Sequence, residues 1–405
     1  MRIRAFKPFR PAPELAPKIA SLPYDVVTTA EARELARGNP LSMLHIVRAE
    51  IDLPEGTNPY SDPVYARARL NFARFIADGA FIREETPSLF LYRQEMGTHQ
   101  QTGVVALCHV DDYDQGLIKR HEKTRPDKEN DRTRLTNDLS ANTGPVFLTY
   151  RQVKSIDQLV PRQAEESPLY DFTAVDGIRH TVWRISDPTG LLEAFQAIPA
   201  VYVADGHHRA ASAARVARER RDANSGHTGD EDYNWFLTVL FPDSSLKVLP
   251  YNRLVTDLRG QTPEDLLNTL KETHRIAEAP DGISSGPGDV RVHLGGRWHR
   301  LNLEADPQAG PAERLDVSLL QDQVLAPLLG IQDPRTDTRI EFVGGIRGVD
   351  ALTGAIESGH ASIAFSLHPV TVTQLMDIAD AGQIMPPKST WFEPKLRSGL
   401  FVHTF

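Results

Sequence analysis

The chain has 405 residues, enough to bury a sizeable core in two or three cooperating domains or in one heavily elaborated domain. With 40% hydrophobic and 24% charged residues it has the composition of a folded globular protein, and no apolar run is long enough to span a bilayer, which excludes an integral membrane protein. A net charge of −9 repels phosphodiester backbones and disfavours nucleic acid as a partner, and the single cysteine, Cys108, can build neither an internal disulfide nor a zinc cluster.

In chain order, the first nine residues are basic but are cut by Pro8 before an apolar core of signal-peptide length appears. Together with the cysteine usage this makes a cytoplasmic protein the expectation. Leu22 to Val27 reads as a turn entering a strand, and 28–37 as a capped helix stopped by Gly38-Asn39-Pro40. Leu44 to Ile51 alternates as a strand would, and 62–78 is an amphipathic helix in which Ala66, Leu70, Ala73 and Ile76 recur at helical spacing. Two β-rich runs, 88–95 and 103–110, are joined through Met96-Gly97-Thr98-His99 as a hairpin. The most polar stretch, Lys119 to Asp138, comes next. Beyond it lie a strand at 180–185, a short helix at 191–195, and a strand at 200–203 that runs into Asp205-Gly206-His207-His208-Arg209. An alanine-rich helix continues to about Arg221, followed by a surface loop over 222–232 and a buried strand at 235–241. The remainder alternates: a helix near 262–274, a Gly295-Gly296 hairpin across 289–303, a helix around 316–329, a strand at 361–367 and a helix at 371–381. With no internal repeat, the expected architecture is mixed α/β with short antiparallel sheets.

Chemistry concentrates in three segments. At Val201 to Ala213 a strand ends, a glycine permits a tight turn and a helix begins, so unpaired backbone N–H groups and the positive end of a helix dipole converge. Arg209 adds a forked guanidinium suited to phosphate oxygens, and Asp205, His207 and His208 supply donors, acceptors or metal ligands. The bland alternative, in which Asp205 caps the helix and the histidines bond nearby carbonyls, is outweighed by four polar groups at one strand-to-helix turn. In the second segment Lys119, Arg120, His121, Lys123 and Arg125 could hold phosphate around a carboxylate base, Glu122. A solvated helix face with local ion pairs is an equal reading of that charge run. The third, Met385 to Leu396, is a proline-stiffened segment with two lysines, a rigid cationic loop suited to phosphate or carboxylate recognition, although a structural arm pinned by Trp391 and Phe392 is the favoured reading. There is no Walker loop, dinucleotide fingerprint or His-Glu-x-x-His helix. Gly282-Ile283-Ser284-Ser285-Gly286 matches Gly-x-Ser-x-Gly, but without a strand before it or a helix after it the match is taken as chance.

Read together, Asp-Gly-His-His-Arg at 205–209, Leu-Pro-Tyr-Asp-Val-Val at 22–27, Lys-Arg-His-Glu-Lys-Thr at 119–124, Pro-Tyr-Asn-Arg at 250–253 and Met-Pro-Pro-Lys-Ser-Thr-Trp-Phe at 385–392 resemble the DUF1015 family over nearly the whole chain. At the Asp-Gly-His-x-Arg turn that family is similar to the ParB/sulfiredoxin-like superfamily, some of whose relatives are kinases of free L-serine. The resemblance implies a ParB/sulfiredoxin-like core at 116–256, between α/β regions at 1–115 and 257–405, the last completing the site. It implies transfer of a phosphoryl group to L-serine, with pyrophosphate, ADP or ATP as donor. Asp205, Gly206, His207, His208 and Arg209 would form the phosphate-binding and catalytic turn. Glu122, with Glu50 in reserve, would be the general base, and Mg²⁺ would bridge donor oxygens with Asp205 as a ligand. The acceptor would be held by Arg253, Lys388, Ser389 and Thr390. Competing expectations are a ParB-like regulator, which would need a helix-turn-helix after the turn, and a phosphatase using the same pocket. A second copy of the chain is a partner the sequence leaves open.

Overall fold

The computed structural model describes all residues, Met1–Phe405, and the chain divides into two units. One comprises Met1–Arg120, Thr124–Leu246 and Pro394–Phe405; the other comprises His121–Lys123 and Lys247–Glu393. This division does not follow the expected boundaries at 115 and 256, because the strands on either side of residue 115 hydrogen-bond into one sheet.

In the first unit that sheet has nine strands: Ile3–Arg4 (β1), Leu89–Met96 (β2), His99–His109 (β3), Ile118–Lys119 (β4), Val146–Tyr150 (β5), Tyr170–Thr173 (β6), Arg179–Ile185 (β7), Val201–Asp205 (β8) and Trp235–Pro242 (β9). Their order is β4-β8-β5-β9-β3-β2-β7-β6, with β1 beside β3. The sheet is mixed: β8 runs parallel to β4 and antiparallel to β5, and β9 runs parallel to β5. The expected hairpin at 96–99 is present as β2 and β3. Unbroken apolar runs such as Val104 to Cys108 and Val201 to Val203 are fully buried, as strands covered on both faces require.

Four helices of this unit matter to the site: Thr29–Ala36 (α1), Asp62–Ala77 (α2), Pro126–Leu139 (α3) and His207–Ala223 (α4). Thr28 and Glu31 close a capping box that starts α1. On α4, Ala210, Ala213, Ala214 and Ala217 bring the helix close onto the sheet core. A second core gathers Val64, Tyr65, Ala68, Phe72 and Phe75 of α2 with Leu135 and Leu139 of α3. That face of α2 is not the expected one, and Leu70 is 65% exposed. Residues 22–27 form turns rather than a strand, and Leu44–Val47 is a helical turn followed by a 3-10 turn at Ala49–Asp52. Leu44, Ile46, Val47 and Ala49 are all buried, so their alternation with polar residues does not mark a strand face. The polar run 119–138 is a strand end followed by α3. After α4 the chain passes through a loop and a 3-10 turn at Asp232–Asn234 into β9, so no helix-turn-helix follows the turn at 205–209.

The second unit contains an antiparallel sheet of Tyr251–Val255 (β10), Arg275–Glu278 (β11), Asp289–Leu294 (β12), Arg297–Asn302 (β13), Ile340–Gly344 (β14) and Ile363–Ser366 (β15), in the order β11-β13-β12-β15-β10-β14. The expected Gly295-Gly296 hairpin joins β12 and β13. Pro263–Thr273 (α5) and Val372–Asp380 (α6) both start with capping boxes, at Thr262 and Thr371. The expected helix at 316–329 is shorter, Asp316–Leu320 followed by a π-helical turn at Gln321–Leu325. No helix in either unit is long and apolar enough to cross a membrane.

Candidate functional site

The 205–209 turn is made by a bulge and a glycine. Along β8, Val203 pairs with Leu148 but Asp205 pairs with Phe147, so Ala204 is an extra residue that bends the strand end. Gly206 follows at φ +94°, and a Cβ placed there would lie 3.0 Å from Nε and Cζ of Arg209. Both the left-handed backbone and the close approach of the guanidinium therefore require glycine. Helix α4 begins at once: Ala210 N donates to Gly206 O at 3.0 Å, which leaves the amides of the first turn without intrahelical acceptors.

Around this turn lies a string of alternating charges. Arg209 Nη2 is 2.9 Å from Asp205 Oδ2 and 3.9 Å from Asp25 Oδ2, while Nη1 donates to the carbonyl of Pro145. Its Nε–H is buried and has no acceptor in the protein. On the far side of Asp205, Lys395 Nζ stands 3.4 Å from Oδ1. Burial alone would raise the pKa of Asp205, but Lys395, Arg209 and His207 hold it well below the usual carboxylate range. For Arg209 burial favours the neutral form, and Asp25 and Asp205 more than offset it, raising its pKa. The neighbouring Tyr24 phenol is pushed up by burial and by Asp25, so it stays protonated.

Arg209 opens onto a cavity of about 470 Å³, counted with its mouth, lined by Tyr24, Arg132, Asn142 and Ser398 above an apolar floor that includes Phe236. The Arg132 guanidinium lies 3.9 Å from the Tyr24 ring centre and is paired with Asp131 at 2.6 Å. A second, smaller pocket is lined by Arg48, Glu50, Tyr65 and Asp131, and Val47, Arg132 and Leu135 line both. Glu50 is 3% exposed, accepts a hydrogen bond from Thr29 Oγ1 at 3.2 Å and pairs with Arg48 Nε at 3.2 Å.

The other expected site residues have the following surroundings. His208 Nε2 accepts from the Arg125 backbone N–H at 3.0 Å, which ties the start of α3 to α4, and the Arg125 side chain pairs with Asp127 at 2.9 Å. Lys119 is opposite Tyr202 in the β4–β8 register. The Arg120 guanidinium sits 4.9 Å from the Tyr113 ring centre. His121, Glu122 and Lys123 belong to the second unit, where the His121 carbonyl accepts from Met385 N at 2.8 Å and Nε2 is 3.4 Å from Thr390 Oγ1. In the same unit the buried Arg253 guanidinium donates to the carbonyls of Tyr251, Pro387 and Lys388, and burial pulls its pKa down to about 10. Lys388 Nζ is 5.4 Å from the Tyr251 ring centre, and Ser389 Oγ donates to Pro386 O at 2.7 Å. The Pro-Tyr-Asn-Arg and Met-Pro-Pro-Lys motifs thus clasp each other within one unit, while Asp205, Gly206, His207 and Arg209 gather with Asp25 and Lys395 in the other.

Sequence reasoning missed Asp25, Lys395 and Arg132 as parts of the site. Each lies inside a segment that the sequence singles out: Asp25 in the 22–27 motif, Lys395 at the end of the 385–396 segment, and Arg132 in the polar run. As for the expected metal ligand, each oxygen of Asp205 is engaged by one cationic side chain, Oδ2 by Arg209 and Oδ1 by Lys395.

Residues 3–318 match the family described as "Protein of unknown function (DUF1015)"; Lys395 lies beyond that span. Among curated proteins nothing matches. Solved structures similar to the chain include a free serine kinase in complex with AMP, at 13% identity over 73% of this chain and 91% of that one, with a TM-score of 0.39. A conserved hypothetical protein from Pyrococcus furiosus is 13% identical over 73% of this chain and 94% of its own, with a TM-score of 0.37. SbnI from Staphylococcus aureus, truncated at its C-terminus, is 12% identical over 74% and 87%, with a TM-score of 0.39.

Proposed function

The chain belongs to the DUF1015 family, and from that premise we propose that it is a small-molecule phosphotransferase moving a phosphoryl group from pyrophosphate, or from a nucleotide, to the hydroxyl of free L-serine. What supports the reading most is Arg209, whose guanidinium is fixed by carboxylates at the first turn of α4, keeps a buried Nε–H without an acceptor and opens onto a cavity. Phosphoryl transfer asks for in-line positioning and charge neutralisation more than for covalent help. Here the charged string sums to zero, since Lys395 and Arg209 face Asp205 and Asp25. Phosphate affinity would therefore come chiefly from the first-turn amides and the helix dipole, with the string supplying orientation.

In the proposed step the serine hydroxyl oxygen bonds to the terminal phosphorus while the bridging P–O bond breaks. Orthophosphate leaves if the donor is pyrophosphate, and the hydroxyl proton goes to a carboxylate. Glu122 and Glu50 compete for that role, and Glu50 gains support from its cavity, which shares Val47, Arg132 and Leu135 with the one at Arg209. Asp205 would be the carboxylate to hold Mg²⁺, which would supply screening of the donor's charge. His207 and His208 would flank the donor at the helix start, and Lys119 would draw it in. Arg253 is spent on backbone carbonyls and is withdrawn as a contact for the acceptor's carboxylate.

The test is incubation of purified protein with L-serine and Mg²⁺ and, in separate tubes, pyrophosphate, ADP or ATP, followed by mass spectrometry for O-phosphoserine. Product in one tube identifies the donor, and no product in any tube removes the proposal.

A further inference from the structure

We propose that Lys395 is a positioning residue of the 205–209 turn, and that the C-terminal segment Pro394–Phe405 is the strap that delivers it there. The inference rests on the phosphate-binding reading of the turn. Its geometric basis is that Lys395 comes from 190 residues away to close the charged string at Asp205, with its side chain only 6% exposed. A lysine so enclosed beside a carboxylate that itself grips Arg209 fixes the guanidinium through Asp205 rather than by touching the donor.

The segment around it is held by buried polar groups whose geometry would serve no purpose in a free tail. Gln94, fully buried on β2, donates from Nε2 to the Lys395 carbonyl at 2.9 Å, and Gln101 of β3 donates to Gln94 Oε1 at 3.0 Å. Two residues on, Arg397 pairs with Asp176 and donates from Nε to His180 Nε2 at 3.2 Å. His180 Nδ1 is 2.8 Å from the Tyr92 hydroxyl, so a neutral imidazole with its proton on Nδ1 satisfies both contacts. Ser398 and Ser21 exchange backbone hydrogen bonds at 3.1 and 2.9 Å, as do Val402 and Phe9 at 2.9 and 2.8 Å. Ser398 also presses its Oγ to within 2.9 Å of where a Cβ on Gly144 would lie, at the wall of the Arg209 cavity. The strap is therefore fastened to β2 and β7 and to Ser21 and Phe9, with Lys395 and Ser398 on the side of the site.

A role through Asp205 has a signature that plain packing lacks. The groups facing Asp205 are Lys395, Arg209 and His207, and those facing Arg209 are Asp205, Asp25 and Tyr24. Without the ammonium group, burial of Asp205 is less opposed, so its carboxyl takes up a proton at higher pH and releases Arg209 Nη2. The experiment is titration calorimetry of the full chain with Mg²⁺ and, in separate runs, inorganic pyrophosphate, ADP or ATP at pH 5, 6, 7 and 8, on wild type, Lys395→Met and Lys395→Arg. Lys395→Met is expected to bind at least tenfold more weakly at pH 7 and to lose further affinity relative to wild type towards pH 5. Lys395→Arg is expected to recover most of the affinity and the wild-type pH dependence. If wild type binds but Lys395→Met matches it at every pH, the positioning role is overturned while the phosphate site stands. If wild type binds no pyrophosphate, ADP or ATP, the phosphate-binding reading itself falls. Should Lys395→Met fail to fold, Lys395→Arg decides alone: affinity within threefold of wild type sustains the role, and a tenfold loss overturns it.

Discussion

Replacing Gly206 with alanine tests the turn in two separable ways. The backbone stands at φ +94°, where an L-residue costs about 1–2 kcal/mol. A new Cβ would also sit 3.0 Å from Arg209 Nε and Cζ and 3.1 Å from Nη2, so the guanidinium must retreat by a few tenths of an ångström. That guanidinium is held by Asp205 at 2.9 Å and by the Pro145 carbonyl, and weakening a charge-assisted bond of roughly 1.5–3 kcal/mol by half adds about 1 kcal/mol. The sum, about 2–3 kcal/mol, corresponds to a fall in melting temperature of about 4–12 °C for a domain of this size class. The control is Gly79→Ala, at φ +71° with nothing within 4 Å of its Cβ, which carries the backbone cost alone. By differential scanning fluorimetry Gly206→Ala should melt below Gly79→Ala, and its phosphoserine formation should fall more than tenfold while Gly79→Ala stays at the wild-type rate. If the two variants melt together and both keep full activity, the glycine does not serve to admit Arg209, and the site argument loses its anchor.

Arg209→Lys keeps the charge but cannot reach Asp205 and the Pro145 carbonyl with one planar fork, so calorimetry should show pyrophosphate binding weakened more than tenfold with the circular dichroism spectrum unchanged. Glu50→Gln and Glu122→Gln, assayed for turnover and for donor binding, should separate the base: one should lose more than about 100-fold in rate with donor affinity retained, and wild-type rates in both would place the base elsewhere. A third prediction concerns acid stability. Burial, with Arg397 adding to it, pulls His180 down to about 2, far below the unfolded value of about 6.5. As pH falls below about 6.5 the unfolded chain binds a proton that the folded chain refuses, so stability falls by up to about 1.4 kcal/mol per pH unit. Urea unfolding at pH 7 and pH 5 should therefore show a loss in wild type about 2 kcal/mol larger than in His180→Gln; equal losses would mean that the buried imidazole is not what limits acid stability.

Elements closed by neighbouring residues were legible. The hairpin at 96–99, the Gly295-Gly296 hairpin and the capped helices starting at Thr29, Pro263 and Val372 each depend on a turn or cap within a few positions. The face of α2 was not legible. Ala66, Leu70, Ala73 and Ile76 make as good a helical stripe as Val64, Ala68, Phe72 and Phe75, and only the packing of α3 against the helix decides which is covered. The same distinction runs through the site. A strand, a glycine and a helix start in sequence announce an anion-binding turn because its amides and its dipole are local consequences of the backbone. Whether the side chains nearby are available to an anion is a tertiary matter, since a sequence counts charges without pairing them. Of the cations read as phosphate ligands, Arg120 turns onto Tyr113 and Arg125 onto Asp127, as charges in a polar run commonly do. The residues that do fix Arg209 and Asp205 come from opposite ends of the chain, Asp25 and Lys395. Asp205 and Arg209 already neutralise each other, and Asp25 and Lys395 add one charge of each sign, so these two partners leave the string neutral and fix where the carboxylate and the guanidinium point. On the proposed function, a phosphate would then be held by directed N–H groups rather than by net charge.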